Sequence, residues 1–156
     1  MSMFDFLKKV DLFADMSDED LMELCGTVSE MVLPVGEMLV TEGEVGDEAY
    51  IVKDGLLEIT KQSSGREVLL AVRGKGVVIG EMALLEEAPR MASVRARTET
   101  TLIIIRKEML ADLLARSPSA ARAMLQTVMD RYRNTQAQLR QSEQMAQLGT
   151  LTAGVA

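Results

Sequence analysis

Apolar positions along the chain change period twice. In residues 1–28, Phe4, Leu7 and Val10 recur at spacing three, and Leu21, Leu24, Cys25 and Val28 follow at helical spacing. Ser17 with Asp20 three residues later forms a variant capping box at the start of the second run. From 29 to 106 the texture becomes short β-rich runs: "EMVLPV", "EMLVTE", "AYIVKDG", "LLEITKQ", "REVLLAV", "MASVRART" and "TLIIIR". Glycines 36, 43, 46, 55, 65, 74 and 76 punctuate them. Ala92, Val94 and Ala96 alternate with Ser93, Arg95 and Arg97, as in a half-buried strand. Asp54-Gly55 reads as a hairpin turn between "AYIVK" and "LLEITK". About eight such strands predict a jelly roll.

After residue 106 the helical period returns. "KEMLADLLAR" predicts one helix, and Ser117-Pro118 starts another, with Ser as N-cap and Pro at the first helical position. Ala121, Leu125, Val128, Tyr132, Thr135, Leu139, Ser142 and Ala146 then recur at alternating spacings of four and three. This heptad seam, with polar members, predicts a helix that pairs with a second copy. The fold class is therefore α+β: an eight-stranded antiparallel β-roll (jelly roll) with N-terminal helices and a long C-terminal helix. The organisation expected is N-terminal helices over 1–28 and the roll over 29–106. The binding domain's C-terminal helices cover 107–132, and a signalling helix covers 133–156.

Composition removes several classes of function. Among 156 residues there is no histidine, which excludes His-ligated metals, His general bases and Ser-His-Asp triads. No metal site, cofactor or catalytic residue is expected. A net charge of −7 argues against a nucleic-acid surface. No apolar run reaches the ~20 residues of a membrane span. "MSMFDFLKK" has no signal-peptide core. With the lone Cys25, this favours the cytoplasm.

One stretch carries chemistry: "GVVIGEMALLEEAPRMASVRA", residues 76–96. Gly80 permits close backbone approach. "EMALLEE" favours a short helix whose first N–H groups could face an anion. Arg90 can grip phosphate oxygens with a fork of donors. Small Ala92 leaves its N–H accessible. Glu81, an acceptor only, suits a hydroxyl donor such as a ribose 2′-OH rather than a phosphate.

"IGEMALLEEAPRMASVRART" resembles the phosphate-binding cassette of cyclic nucleotide-binding domains. The matching positions are Gly80, Glu81, Met82, Ala83, Leu84, Pro89, Arg90, Ala92, Ser93 and Val94, with the cassette over 79–94. "FLKKVDLFADMSDEDLMEL" and "GEVGDEAYIVKDGLLEI" are similar to the family's N-terminal helices and glycine-marked hairpin. The resemblance covers about residues 5–132. It implies that Glu81 holds the ribose hydroxyl and Arg90 the cyclic phosphate, assisted by backbone N–H groups near Ala83 and Ala92. It also implies that Val68, Leu70, Val78 and Ile79 line the ribose and base, and that Arg131, in preference to Tyr132, supplies a lid. Met91 stands where cGMP-selective relatives carry a hydroxyl, so cAMP is expected to be favoured modestly.

The final residues, "QLRQSEQMAQLGTLTAGVA", resemble the run that leads into the phosphoacceptor helix of sensor histidine kinases. That implies a non-catalytic sensor with a kinase domain in cis, paired through its C-terminal helix. Alternatives are an effector domain of a transcription factor without its DNA-binding part, and a degenerate roll that only dimerises.

Overall fold

The computed structural model describes residues 2–84, 88–130 and 133, without the side chain of Met82. Helix α1 (Met3–Lys8) starts at Ser2, whose side chain accepts the Asp5 N–H. A 3₁₀ turn (Asp11–Phe13) leads to α2 (Asp18–Cys25). The cap expected at Ser17 is present: its hydroxyl accepts the Asp20 N–H at 3.2 Å.

Eight strands follow: β1 (Ser29–Leu33), β2 (Met38–Val40), β3 (Glu48–Asp54), β4 (Leu57–Ser63), β5 (Arg66–Arg73), β6 (Val78–Ile79), β7 (Ser93–Ala96) and β8 (Thr100–Arg106). They form two antiparallel four-stranded sheets, ordered β1-β8-β3-β6 and β2-β7-β4-β5. Helix α3 (Lys107–Arg116) continues from β8. A further helix, α4, occupies 118–130, with the Ser117 hydroxyl accepting the Ala120 N–H as its cap. The β-roll with N-terminal helices matches the fold class read from the sequence. The long C-terminal helix is described only in its first part.

Successive strands mostly change sheet, and this overturns one expectation. Asp54-Gly55 is not a hairpin turn, because β3 and β4 belong to different sheets. Gly55 instead turns a corner between sheets at φ +104°, where a Cβ would lie 2.6 Å from both the Glu99 carbonyl oxygen and Thr100 Oγ1. The chain needs glycine there for space as well as for φ. The hairpin lies one strand later: Ser64 (φ 52°) and Gly65 (φ 78°) join β4 to β5, with Ser63 facing Arg66. Positive φ at both residues is the type I′ signature.

Two cores share β3 and β8. Ala49, Ile51, Ile103 and Ile105 point to a cluster formed with Leu7, Phe13, Leu21, Leu24 and Leu113 of the helices. Tyr50, Val52 and Leu102 point between the sheets, toward Leu33, Leu57 and Val94. Burial on both faces explains why "AYIV" and "LIII" read as continuous apolar runs, while Ser93–Ala96 alternates.

Candidate functional site

Arg90 is fixed before its guanidinium is considered. Its N–H donates to the Glu44 carbonyl at 2.8 Å, and its carbonyl accepts the Gly43 N–H at 2.9 Å. A β-bridge joins Val45 to the preceding residue, Pro89. The 43–48 segment, leading into β3, therefore straps down the residues on either side of the side chain's origin. The side chain returns along that strap, and Nη2 donates to the Glu48 carbonyl at 2.8 Å. Two glycines flank the guanidinium. A Cβ at Gly46 would collide with Nη2, and one at Gly80 with Nη1. Gly80 also has φ +76°. Arg90 Nη1 is buried and has no hydrogen-bond partner. A buried donor without an acceptor costs about 1–3 kcal/mol, so an acceptor placed there recovers that amount.

The guanidinium borders a cavity of about 340 Å³. Val78, Ile79, Gly80, Glu81 and Ala83 form one wall, and Ala88, Pro89, Arg90, Met91 and Ala92 another. Val40, Ile59 and Val94 close it from β2, β4 and β7. Of the described lining residues only Glu81 and Arg90 are ionisable, so an acceptor and a donor of opposite charge face an otherwise apolar space. That pairing suits a ligand with an anion at one end, a hydroxyl beside it, and an apolar or aromatic body. Glu81–Leu84 forms a short 3₁₀ helix rather than an α-helical turn.

Most of the residues read as site residues meet here. Gly80, Glu81, Ala83, Arg90, Met91, Ala92, Val78 and Ile79 all line the cavity, with Met91 at the mouth and 78% exposed. Ser93 does not: its hydroxyl accepts the Glu42 N–H at 2.9 Å and ties β7 to the end of β2. Val68 and Leu70 are not brought to it either. A bulge separates the pairs Ile59–Ala71 and Thr60–Leu69 and leaves Leu70 extra, and over 66–70 both faces of β5 are exposed. Val68 and Leu70 lie on the sheet edge and are exposed. The side chain of Met82, the lid candidate Arg131 and the seam from Tyr132 onward lie outside the described residues.

Sequence reading missed Gly46, the Glu48 carbonyl, Val40, Ile59 and Ala88. The glycine pair in "GEVG" was the available signal, but its link to Arg90 spans 44 positions and exists only in the fold. Tyr50, on β3, is also close. Burial pushes its phenol up, Glu48 adds to this, and positive Arg90 opposes it. Among the described residues no cluster of three or more His, Cys, Asp or Glu could hold a metal ion. No described helix is long and apolar enough to cross a membrane.

Residues 30–117 match the sequence profile of the cyclic nucleotide-binding domain. The chain belongs to that family. It is 35% identical over 108 residues to a cAMP-dependent protein kinase regulatory subunit of Yarrowia lipolytica, a match covering 69% of this chain and 28% of the subunit. It is 26% identical over 134 residues to a CRP-like cAMP-activated global transcriptional regulator of Mycobacterium tuberculosis, covering 85% of this chain and 60% of the regulator. The N-terminal domain of a transcriptional regulator from Streptomyces coelicolor superposes with a TM-score of 0.80 at 37% identity. That superposition covers 86% of this chain and 95% of the domain. The chain thus spans less than two thirds of either full-length relative.

Proposed function

We propose that this domain senses a 3′,5′-cyclic nucleotide and passes its occupancy to the C-terminal helix. The observation that carries the reading is Arg90 Nη1, a buried donor without an acceptor, held between two glycines at the edge of the cavity. A cyclic phosphate placed there accepts from Nη1; of the two backbone donors that the resemblance implies, the Ala83 N–H already donates to the Gly80 carbonyl at 3.0 Å, which leaves Ala92 as the candidate. Glu81 accepts the ribose 2′-hydroxyl, and its charge keeps the phosphate at the arginine end. The apolar walls take the base. Relatives described as cAMP-dependent and as cGMP-dependent match at 35% and 32% identity, so kinship does not choose the base. Met91 favours adenine because it offers guanine no hydroxyl; one lost neutral hydrogen bond is worth about 0.5–1.5 kcal/mol, so the preference is modest. The lid candidate remains Arg131, which the resemblance implies and which lies outside the described residues.

The output proposed is a histidine kinase in cis, reached through a paired helix. The final 19 residues support it by resemblance to a kinase's approach to its phosphoacceptor. The described part of the seam supports pairing: Leu125 is 59% exposed on α4, beside half-exposed Ala121 and Val128. Likeness to the Streptomyces regulator domain favours a second output, a transcription-factor effector domain. Calorimetric titration with cAMP and cGMP tests the ligand. Saturable binding with cAMP a few-fold tighter is expected, and no heat with either at millimolar concentration would sink the reading.

A further inference from the structure

Helix α4 rests on the N-terminal helices through two polar ties of an unusual kind. At its start, Asp20 of α2 accepts the Ser117 hydroxyl at 2.9 Å and the Ser119 hydroxyl at 2.8 Å. Ten residues later Thr127 Oγ1 lies 3.1 Å from Asp15 and 3.1 Å from the Ala123 carbonyl, which share its one proton. Asp20 and Thr127 are two of the four buried polar residues described in the domain, so half of these lie on one small interface. The described partners of the Asp20 carboxylate are hydroxyls, with no cation among them. Apolar docking between the ties is thin: Ala120 and Met124 are buried, while Leu125 and Met129 face outward.

We propose that Asp20, seconded by Asp15, is a releasable latch for α4. Its opening would free that helix as one body while α3 stays in place. Three features argue for release rather than permanent fixing. A carboxylate held by hydroxyls can exchange them for water, which offers the same kind of O–H donor, so release leaves no charge without a partner. The joint is already cut: Ser117 is extended (φ −121°, ψ 103°), and Pro118 follows. Helix α3 is anchored separately, by buried Leu110 and Leu113 and by the pairing of Arg116 with Glu23. The latch and the helix start also share an atom. Ser117 Oγ donates to Asp20 and accepts the Ala120 N–H, so the cap travels with the helix when the latch opens. The hydroxyls, Ser119 foremost, hold the Asp20 carboxyl below its usual range against the effect of burial, which means that they favour its ionised form.

Hydrogen exchange of the full chain without nucleotide tests the latch. Asp20→Ala leaves the Ser17 cap intact, since that bond uses the backbone N–H of residue 20. Exchange over 118–130 is expected to quicken at least tenfold, with α3, β3 and β8 within twofold of the parent. Unchanged exchange over 118–130 would overturn the proposal. If every element quickens together, Ser119→Ala, which leaves Asp20 with Ser117, is put to the same comparison. A uniform change there, or none over 118–130, also overturns it. Coupling of the latch to the cavity rests on the nucleotide reading. There Asp20→Ala should shift cAMP affinity at least threefold, and unchanged affinity refutes the coupling. Failure of the parent chain to bind cAMP retires the nucleotide reading instead and leaves the exchange result standing.

Discussion

The guanidinium of Arg90 owes its place to two residues without side chains. Gly46 and Gly80 bracket it, and Glu48 supplies a carbonyl. Arg90→Ala should cost roughly 2–5 kcal/mol of nucleotide affinity, the range for truncating one partner of a buried charge pair. Calorimetry on the folded variant checks this. Gly46→Ala is the sharper test, because Gly46 lacks the positive φ of Gly80 and its added methyl acts mainly by displacing the guanidinium. Affinity should fall tenfold or more, about 1.4 kcal/mol, with a smaller effect on unfolding free energy. The arginine was legible in the sequence because its motif is local. Gly46 was not, since its relation to Arg90 is made by strap 43–48 folding back on Pro89 and Arg90.

At the scale of elements, periodicity located the strands but not their partners. "LLEITKQ" and "REVLLAV" were readable as strands from composition alone. That Asp54-Gly55 turns between sheets while Ser64-Gly65 closes the hairpin was not, because both are acceptable turn sequences and pairing decides between them. The exposure of both faces of β5 over 66–70, at the sheet edge, likewise has no local signal, and it leaves two expected lining residues outside the cavity. The two turns make opposite demands. Gly65 meets nothing within 4 Å, so Gly65→Asn, a residue that tolerates left-handed φ, should change stability little. Gly55→Ala meets the Glu99–Thr100 backbone as well as an unfavourable φ, and should destabilise by about 1–3 kcal/mol or more. Urea unfolding of the two variants side by side checks the contrast.

The whole molecule joins two cores through β3 and carries α4 on the helical one. Because α4 buries Ala120 and Met124 inward and shows Leu125 outward, Leu125→Glu should leave the fold intact and abolish any dimer. Sedimentation at tens of micromolar checks this, and a monomeric parent chain would contradict the pairing. Acid gives a second whole-molecule readout. The Asp20 carboxyl is depressed from its ordinary value of 3.8, so its contribution to docking is full above that value. It is lost as pH falls through the lower folded value, and protection over 118–130 should go first in that window. The sheet order has a consequence for synthesis as well. β1 pairs only with β8, and no described strand lies on its other side. A growing chain that has made β1 must add about 70 residues before a partner exists, roughly 4–14 s at 5–20 residues per second. Meanwhile the hairpin of β4 and β5 is complete, and the nascent chain presents Val68, Leu69 and Leu70 along its edge to whatever waits at the ribosome's exit.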